Sequence, residues 1–439
     1  MRALAMTVFV LVLSLRLGLS WLNWRHLRRA GHLVPEALVG RVDRARLFET
    51  TAYTAARVRL GLLRSVLSAF LVGAFLFAGG LGRYDAWVSH FDLSFVPRGV
   101  LFVAGLVVTS SLWSIPFQLY SDFRVEARYG FNRQSPGLWW GDWLKSSLIS
   151  LPLTLALSAG ALALIAAAPN TWWLWVSVVI SVVSLLLTVL SPYLIEPLFY
   201  RMAPLDVPGL QGGIRALTER AGVHVSRILT VDASRRSGHS NAYFTGLGRQ
   251  KRVVLYDTLL AQMSEPEVLA VLAHELGHWK KHHVRNRMLA MTGLLFGGAY
   301  LSFSLLPSEA LPGFLGLTVA SVPARLLILA AWGAWLSFPL TPLFAAWSRR
   351  DERQADRFAV ELQGAPRHLA DALVKLGTEN LSNLHPHPLY AAFYYSHPPL
   401  VERIGSLRAL SPEPESRRAS GGAPPVVAGV PSAVALQPR

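Results

Sequence analysis

The sequence predicts a mainly α-helical, polytopic membrane protein of seven spans with a metal-binding segment on one side of the bilayer. Three observations carry that prediction. The chain of 439 residues is 52% hydrophobic and 15% charged, too apolar for a soluble protein of its size and too charged to lie wholly in lipid. Its basic residues concentrate in alternate loops. Outside the apolar segments, His274-Glu275-Leu276-Gly277-His278 forms an HExxH pattern within a helical run.

Taken in order, the spans lie near Ala3–Leu22, Leu60–Leu81, Val100–Tyr120, Leu148–Ala168, Trp172–Leu194, Met288–Leu306 and Ala324–Trp347. Each is long and apolar enough to cross a bilayer. The first could be read as a signal peptide, but its apolar core is long, Arg16 interrupts it and no small-residue cleavage site follows, so a retained span is expected.

The net charge of +16 is a topology signal rather than a nucleic-acid footprint. Arg25, Arg28, Arg29, Arg41, Arg44, Arg46, Arg57 and Arg59 lie between spans one and two, and Arg124, Arg128, Arg133 and Lys145 between three and four. The alternate loops hold Arg83 and Arg98 in one case and no basic residue in the others. Basic loops stay in the cytoplasm, which puts the N-terminus outside and the C-terminus and HExxH segment inside. The lipid bilayer is thus an expected partner and nucleic acid is not. Absence of cysteine excludes disulfides, thiolate ligands and a thiol nucleophile. Arginine far outnumbers lysine, an association with GC-rich bacterial genomes that points to a bacterial inner membrane.

These signals divide the chain into spans one to five (1–194), the HExxH segment (195–287), spans six and seven (288–347), a C-terminal segment (348–410) and a tail (411–439). Within the HExxH segment a helix is expected near Gly213–Ala221 and a strand near Arg227–Val231. A strand pair, Asn241–Thr245 with Arg252–Tyr256, reads as a hairpin around Gly246-Leu247-Gly248. A helix then runs from Glu265, capped by Ser264, to about His283. The segment 348–410 reads as helical, with breaks at Pro366, His385-Pro386-His387-Pro388 and His397-Pro398-Pro399. The tail is rich in Pro, Ser, Gly and Ala and reads as disordered.

On a helix, His274 and His278 stand one turn apart on the same face and can share one zinc ion, while Glu275 can take a proton from water activated there. A catalytic zinc needs a third protein ligand. His282 lies eight residues beyond His274, about 12 Å along a helix axis and out of reach. With Lys280, Lys281, His283, Arg285 and Arg287 it reads as a basic collar at the lipid headgroups. Glu352 is the better candidate, with Asp356 one turn away on the same face to orient a ligating histidine. Spacing alone leaves that reading level with a solvated, ion-paired helix face.

Several further motifs stand in a fixed order. They are Pro116-Phe117-Gln118-Leu119-Tyr120 with Glu126 and Tyr129-Gly130-Phe131-Asn132, Glu196-Pro197-Leu198-Phe199, His239-Ser240-Asn241-Ala242-Tyr243, Val254 to Leu260, Glu352 with Ala355-Asp356, and His397-Pro398-Pro399 with Glu402-Arg403-Ile404. Together with HExxH they resemble the integral-membrane zinc endopeptidases that include the type I CAAX prenyl proteases. The resemblance covers most of the chain, leaving out the loop after span one and the tail.

It implies a gluzincin-like protease domain, a small β-hairpin plus the HExxH helix, over an intramembrane chamber that Arg16, Arg64, Gln118 and Glu196 would help hydrate. It also implies one Zn²⁺ per chain on His274, His278 and Glu352, with Asp356 behind them. Glu275 would be the general base and His397 the donor to the oxyanion, although by itself a histidine before two prolines reads as a loop residue. Asn241 and Ala242 resemble the edge strand that pairs with an extended peptide, where the residues alone allow a turn. Arg403 would steady a carboxylate. The implied substrate is a peptide or protein that is membrane-associated or carries a prenylated CAAX tail. Against this stand a seven-span transporter or receptor with a structural zinc site, and an inactive scaffold. Neither gives Glu275 a role.

Overall fold

The computed structural model describes residues 1–246 and 251–410. Seven of its helices are long and apolar enough to cross a membrane: Arg2–Ala30, Arg44–Phe77, Phe95–Glu126, Pro136–Ala167, Trp172–Phe199, His283–Leu305 and Val322–Gln363. Each contains or overlaps one expected span. The helices run well past the apolar cores, so most of the arginine-rich stretch between spans one and two is helical, and only 31–43 connect them. Asp43 starts the second helix by accepting the Arg46 N–H at 2.6 Å, as an N-cap aspartate does.

The seventh span departs most from expectation. Its helix passes through a tight turn at Phe338–Leu340 and continues as Thr341–Gln363. Pro339 and Pro342 sit at the first positions of the turn and of the continuing helix, where a missing N–H costs nothing. Glu352 therefore rides on a direct extension of a membrane helix. The boundary at 347/348 falls inside it.

Beside the membrane, four strands form one sheet: β1 (Met202–Pro204), β2 (Arg227–Val231), β3 (Ala242–Thr245) and β4 (Arg252–Tyr256), in the order β1-β2-β4-β3. The expected hairpin is the antiparallel β3/β4 pair, with Tyr243 opposite Val254 and Phe244 opposite Val253. Its turn residues 247–250 lie outside the described residues, as does the tail from Ser411. The sequence reading missed β1, three residues with no alternation to mark them, and the parallel pairing of β2 with β4. A helix at Pro208–Arg220 precedes β2. The consequence for function is that β3 is an edge strand.

The HExxH helix, Glu265–Lys280, begins with a capping box in which the Ser264 N–H and hydroxyl both donate to Glu267. It runs through the core packed against this sheet, where Val253, Leu255, Leu259, Leu272, Leu276, Leu373 and Ile404 are buried together. The helices Pro366–Glu379 and Leu400–Ala409 close that core from the other side.

Candidate metal centre

The HExxH helix and the extension of span seven cross at Gly277 and Ala355. A Cβ added to Gly277 would stand 2.8 Å from Ala355 Cα and 3.1 Å from its carbonyl oxygen, closer than packed atoms come. Glycine there lets the two helices approach until His274, His278 and Glu352 face one another. His274 Nε2 lies 3.1 Å from His278 Nε2, and Glu352 carboxylate oxygens lie 3.3 Å from the first and 3.2 Å from the second.

This triangle fits zinc. Ligand atoms on a tetrahedral ion with bonds of about 2.0–2.1 Å are about 3.3 Å apart. Glu352 Oε2 is buried and accepts no well-directed hydrogen bond, although His397 Nδ1 is 2.8 Å away. Three potential ligand atoms converge here on one point, an arrangement that a cation satisfies. Among the described residues these are the sole group of three such side chains with ligand atoms within 4.8 Å of one another.

The imidazoles are oriented for the role. His274 Nδ1 is 2.7 Å from Asp356 Oδ1, which accepts the Nδ1–H and turns Nε2 toward the triangle. Asp356 is held by Arg403, whose Nε and Nη2 donate to it at 2.9 and 2.6 Å. Burial pulls the His274 imidazole down in pKa, but Asp356 and Glu352 push it up to about 9. The carboxylates that favour a proton there equally favour a metal ion. Arg403 remains charged, its pKa lowered by burial but raised further by Asp356.

His278 is served by a residue the sequence reading assigned elsewhere. His283 is buried rather than part of a basic collar. Its Nδ1 lies 3.0 Å from His278 Nδ1 and its Nε2 3.0 Å from Gln354 Oε1. With Gln354 accepting, His283 Nδ1 is free to accept the His278 Nδ1–H, and His278 Nε2 is left bare. The physical reason is His282, whose left-handed backbone (φ 57°) ends the HExxH helix and turns His283 back. Lys280 and Arg287 are also engaged in the fold, donating to the Ala221 carbonyl and to Asp351.

Glu275 sits half-buried beside the triangle and, among the described residues, makes no hydrogen bond or ion pair. Burial raises its carboxyl above the ordinary range, which favours accepting a proton. His397 is 60% exposed and lines a cavity of about 1170 Å³ together with Tyr53, Arg57, Glu126, His239 and Tyr395. The metal triangle thus borders a chamber that reaches among spans one to three.

Asn241 precedes β3. Its carbonyl accepts the Tyr256 N–H at 3.1 Å, so by strand alternation the Ala242 N–H points to the open edge. The Asn241 side chain covers that N–H at 2.9 Å. Of the residues singled out in the spans, Glu196 accepts the Tyr243 hydroxyl at 2.8 Å.

Residues 23–201 match the family model described as CAAX prenyl protease N-terminal, five membrane helices. Residues 204–411 match Peptidase family M48. A CAAX prenyl protease 1 homolog of Arabidopsis thaliana is 33% identical over 398 residues, covering 85% of this chain and 90% of the relative. A human CAAX prenyl protease 1 homolog is 31% identical over 376 residues, covering 75% and 77%. The fold is similar to the crystal structure of S. mikatae Ste24p, with a TM-score of 0.87, 26% identity, and coverage of 92% of this chain and 98% of that one.

Proposed function

The chain belongs to peptidase family M48, with the N-terminal membrane helices of the CAAX prenyl proteases, and is a multi-pass membrane zinc metallopeptidase; on that premise we propose how its residues divide the reaction and which substrates they serve. The protein hydrolyses peptide bonds in membrane-associated proteins, including prenylated CAAX-type tails. The site faces the cytoplasm, as the basic loops favour, with the N-terminus outside.

His274, His278 and Glu352 hold one zinc ion, and Asp356 fixes the tautomer of His274. Bound zinc would polarise the scissile carbonyl and make water acidic enough to attack near neutral pH. Glu275 takes the proton from the attacking water and returns it to the leaving amine. His397 donates to the oxyanion as charge develops. Asn241 and Ala242 present the edge at which an extended substrate adds a strand, which reads backbone more than side chain.

The observation that carries this reading is the combination of three converging ligand atoms with the Glu275 carboxyl beside them, which among the described residues makes no hydrogen bond or ion pair. A closed structural zinc site needs no such carboxyl. Detergent-purified, zinc-loaded protein and its Glu275→Gln variant should be given one reporter peptide with and without a farnesyl group. Glu275→Gln should retain zinc and lose about 10³-fold in turnover, within the usual range for a missing general base. Cleavage of the farnesylated peptide alone would make the enzyme a prenyl-dependent processor, and cleavage of both a broader membrane endopeptidase. Undiminished turnover by a zinc-replete Glu275→Gln protein would overturn the assigned roles.

A further inference from the structure

The wall of the chamber holds a second histidine–carboxylate cluster that the reaction above does not use. The third span ends in a π-helical turn, Ser121–Glu126, a geometry rare in helices and concentrated at functional sites. That turn sets the Glu126 carboxylate against the Tyr53 hydroxyl, at 2.7 and 3.0 Å, and against His239 Nε2 at 3.2 Å. The His239 ring stacks on Phe131, with centroids 4.0 Å apart and planes at 17°. Its Nδ1 lies 3.1 Å from Asn380 Oδ1. The same oxygen accepts the Ser240 N–H at 3.2 Å, which fixes the orientation of that amide. Asn380 itself caps the helix Pro366–Glu379.

The residue after Ser240 is Asn241, where the exposed edge begins. The His239 carbonyl also accepts the Thr258 hydroxyl at 2.9 Å, and Gly238 donates to the Phe131 carbonyl at 2.9 Å. Apart from the Tyr53–Glu126 pair, every bond in this set ends on the short segment that feeds β3. We propose that Glu126, His239 and Asn380 are positioning residues for substrate: they hold the backbone of Ser240–Ala242 at the height and angle at which the edge pairs with a peptide. Membrane helices two and three, through Tyr53 and Glu126, thereby set the register of a strand in the protease domain. This rests on the reading of β3 as the peptide-binding edge.

Magnitudes separate this role from simple stabilisation. The side chain of His239 is 37% exposed, and a partly wetted pair of this kind contributes little to folding. Among the described residues none of the three touches His274, His278 or Glu352. Loss of the cluster should leave the fold and metal intact and loosen the edge.

The test is steady-state kinetics of zinc-loaded wild type, Glu126→Gln, His239→Phe and the double variant on a peptide ladder shortened one residue at a time from each end. His239→Phe keeps the stack on Phe131 and loses the ring-nitrogen contacts to Glu126 and Asn380. Each variant should raise KM for the longest peptides about five- to tenfold, the scale of one lost hydrogen bond, with kcat within about twofold and zinc content unchanged. The penalty should vanish for peptides too short to reach β3, and the double variant should be no worse than either single one. An unchanged KM, a penalty independent of peptide length, or additive effects would overturn the proposal while leaving the protease reading intact. A wild type inactive on every peptide would overturn both.

Discussion

The metal triangle and the chamber wall use the same residue types to opposite ends. At the triangle, His274, His278 and Glu352 converge within hydrogen-bonding distance, while the outward nitrogens of the imidazoles are engaged by Asp356 and by His283. The inward atoms are thereby turned on one point, where a cation would bind. At the wall, each acceptor meets a fixed donor: Glu126 takes from the Tyr53 hydroxyl and Asn380 from the Ser240 N–H, with the His239 ring set between the two. Burial follows the same division, with Glu352 and Asp356 enclosed and His239 partly open. A histidine beside a carboxylate is therefore uninformative until its other ring nitrogen is followed.

Substitutions that break this contrast should do so unequally. Glu352→Gln has the largest expected effect, because an amide is a far poorer zinc ligand than a carboxylate. Zinc content, measured by atomic emission on the purified protein, should fall severalfold or more, and activity with it. The matched change at the wall, Glu126→Gln, should leave zinc unaltered. Unchanged metal content in Glu352→Gln would move the third ligand elsewhere.

Gly277→Ala sharpens the comparison by altering spacing and no ligand. The added methyl meets Ala355 backbone at 2.8 Å, and a displacement of several tenths of an ångström at the crossing should weaken zinc affinity about tenfold or more, readable by competition with a chelator. Wild-type affinity in this variant would mean that the helix crossing does not set the ligand distances.

The smallest effect is expected at the start of the same helix. Burial opposes the Glu267 charge, but hydrogen bonds from Lys375 and Ser264 hold its carboxyl below the ordinary range. A depressed folded-state pKa stabilises the fold above the unfolded value of about 4.3 and is lost as pH falls through the folded value. Glu267→Gln should lower stability near neutral pH by about 1 kcal/mol, the worth of a capping interaction, and the deficit should shrink as the wild type is acidified. A deficit that stays constant down to low pH would refute this account.

Part of the design was legible without coordinates because it is local. The His274–His278 spacing specifies a shared face wherever a helix forms, and Ser264 with Glu267 marks where that helix starts. Alternating charge and apolar length locate all seven spans. The motifs Glu352–Asp356 and His397-Pro398-Pro399 could be named by resemblance, although spacing alone left them open. His283 was misread because a helical continuation puts it on the wrong face, and no residue type announces the left-handed turn at His282.

What the sequence by itself determined is whatever depends on neighbours within a turn or on burial in lipid: the helices, their caps, the spans and the first two candidate ligands. The tertiary structure decided which carboxylate reaches those ligands, through the Gly277–Ala355 crossing. It also decided which strand is the edge, through the parallel β2/β4 pairing, and which wall residues hold it. Those outcomes join atoms up to 141 residues apart, as at His239 and Asn380. Contact at such separations follows from how whole helices and strands pack, which no short pattern along the chain encodes.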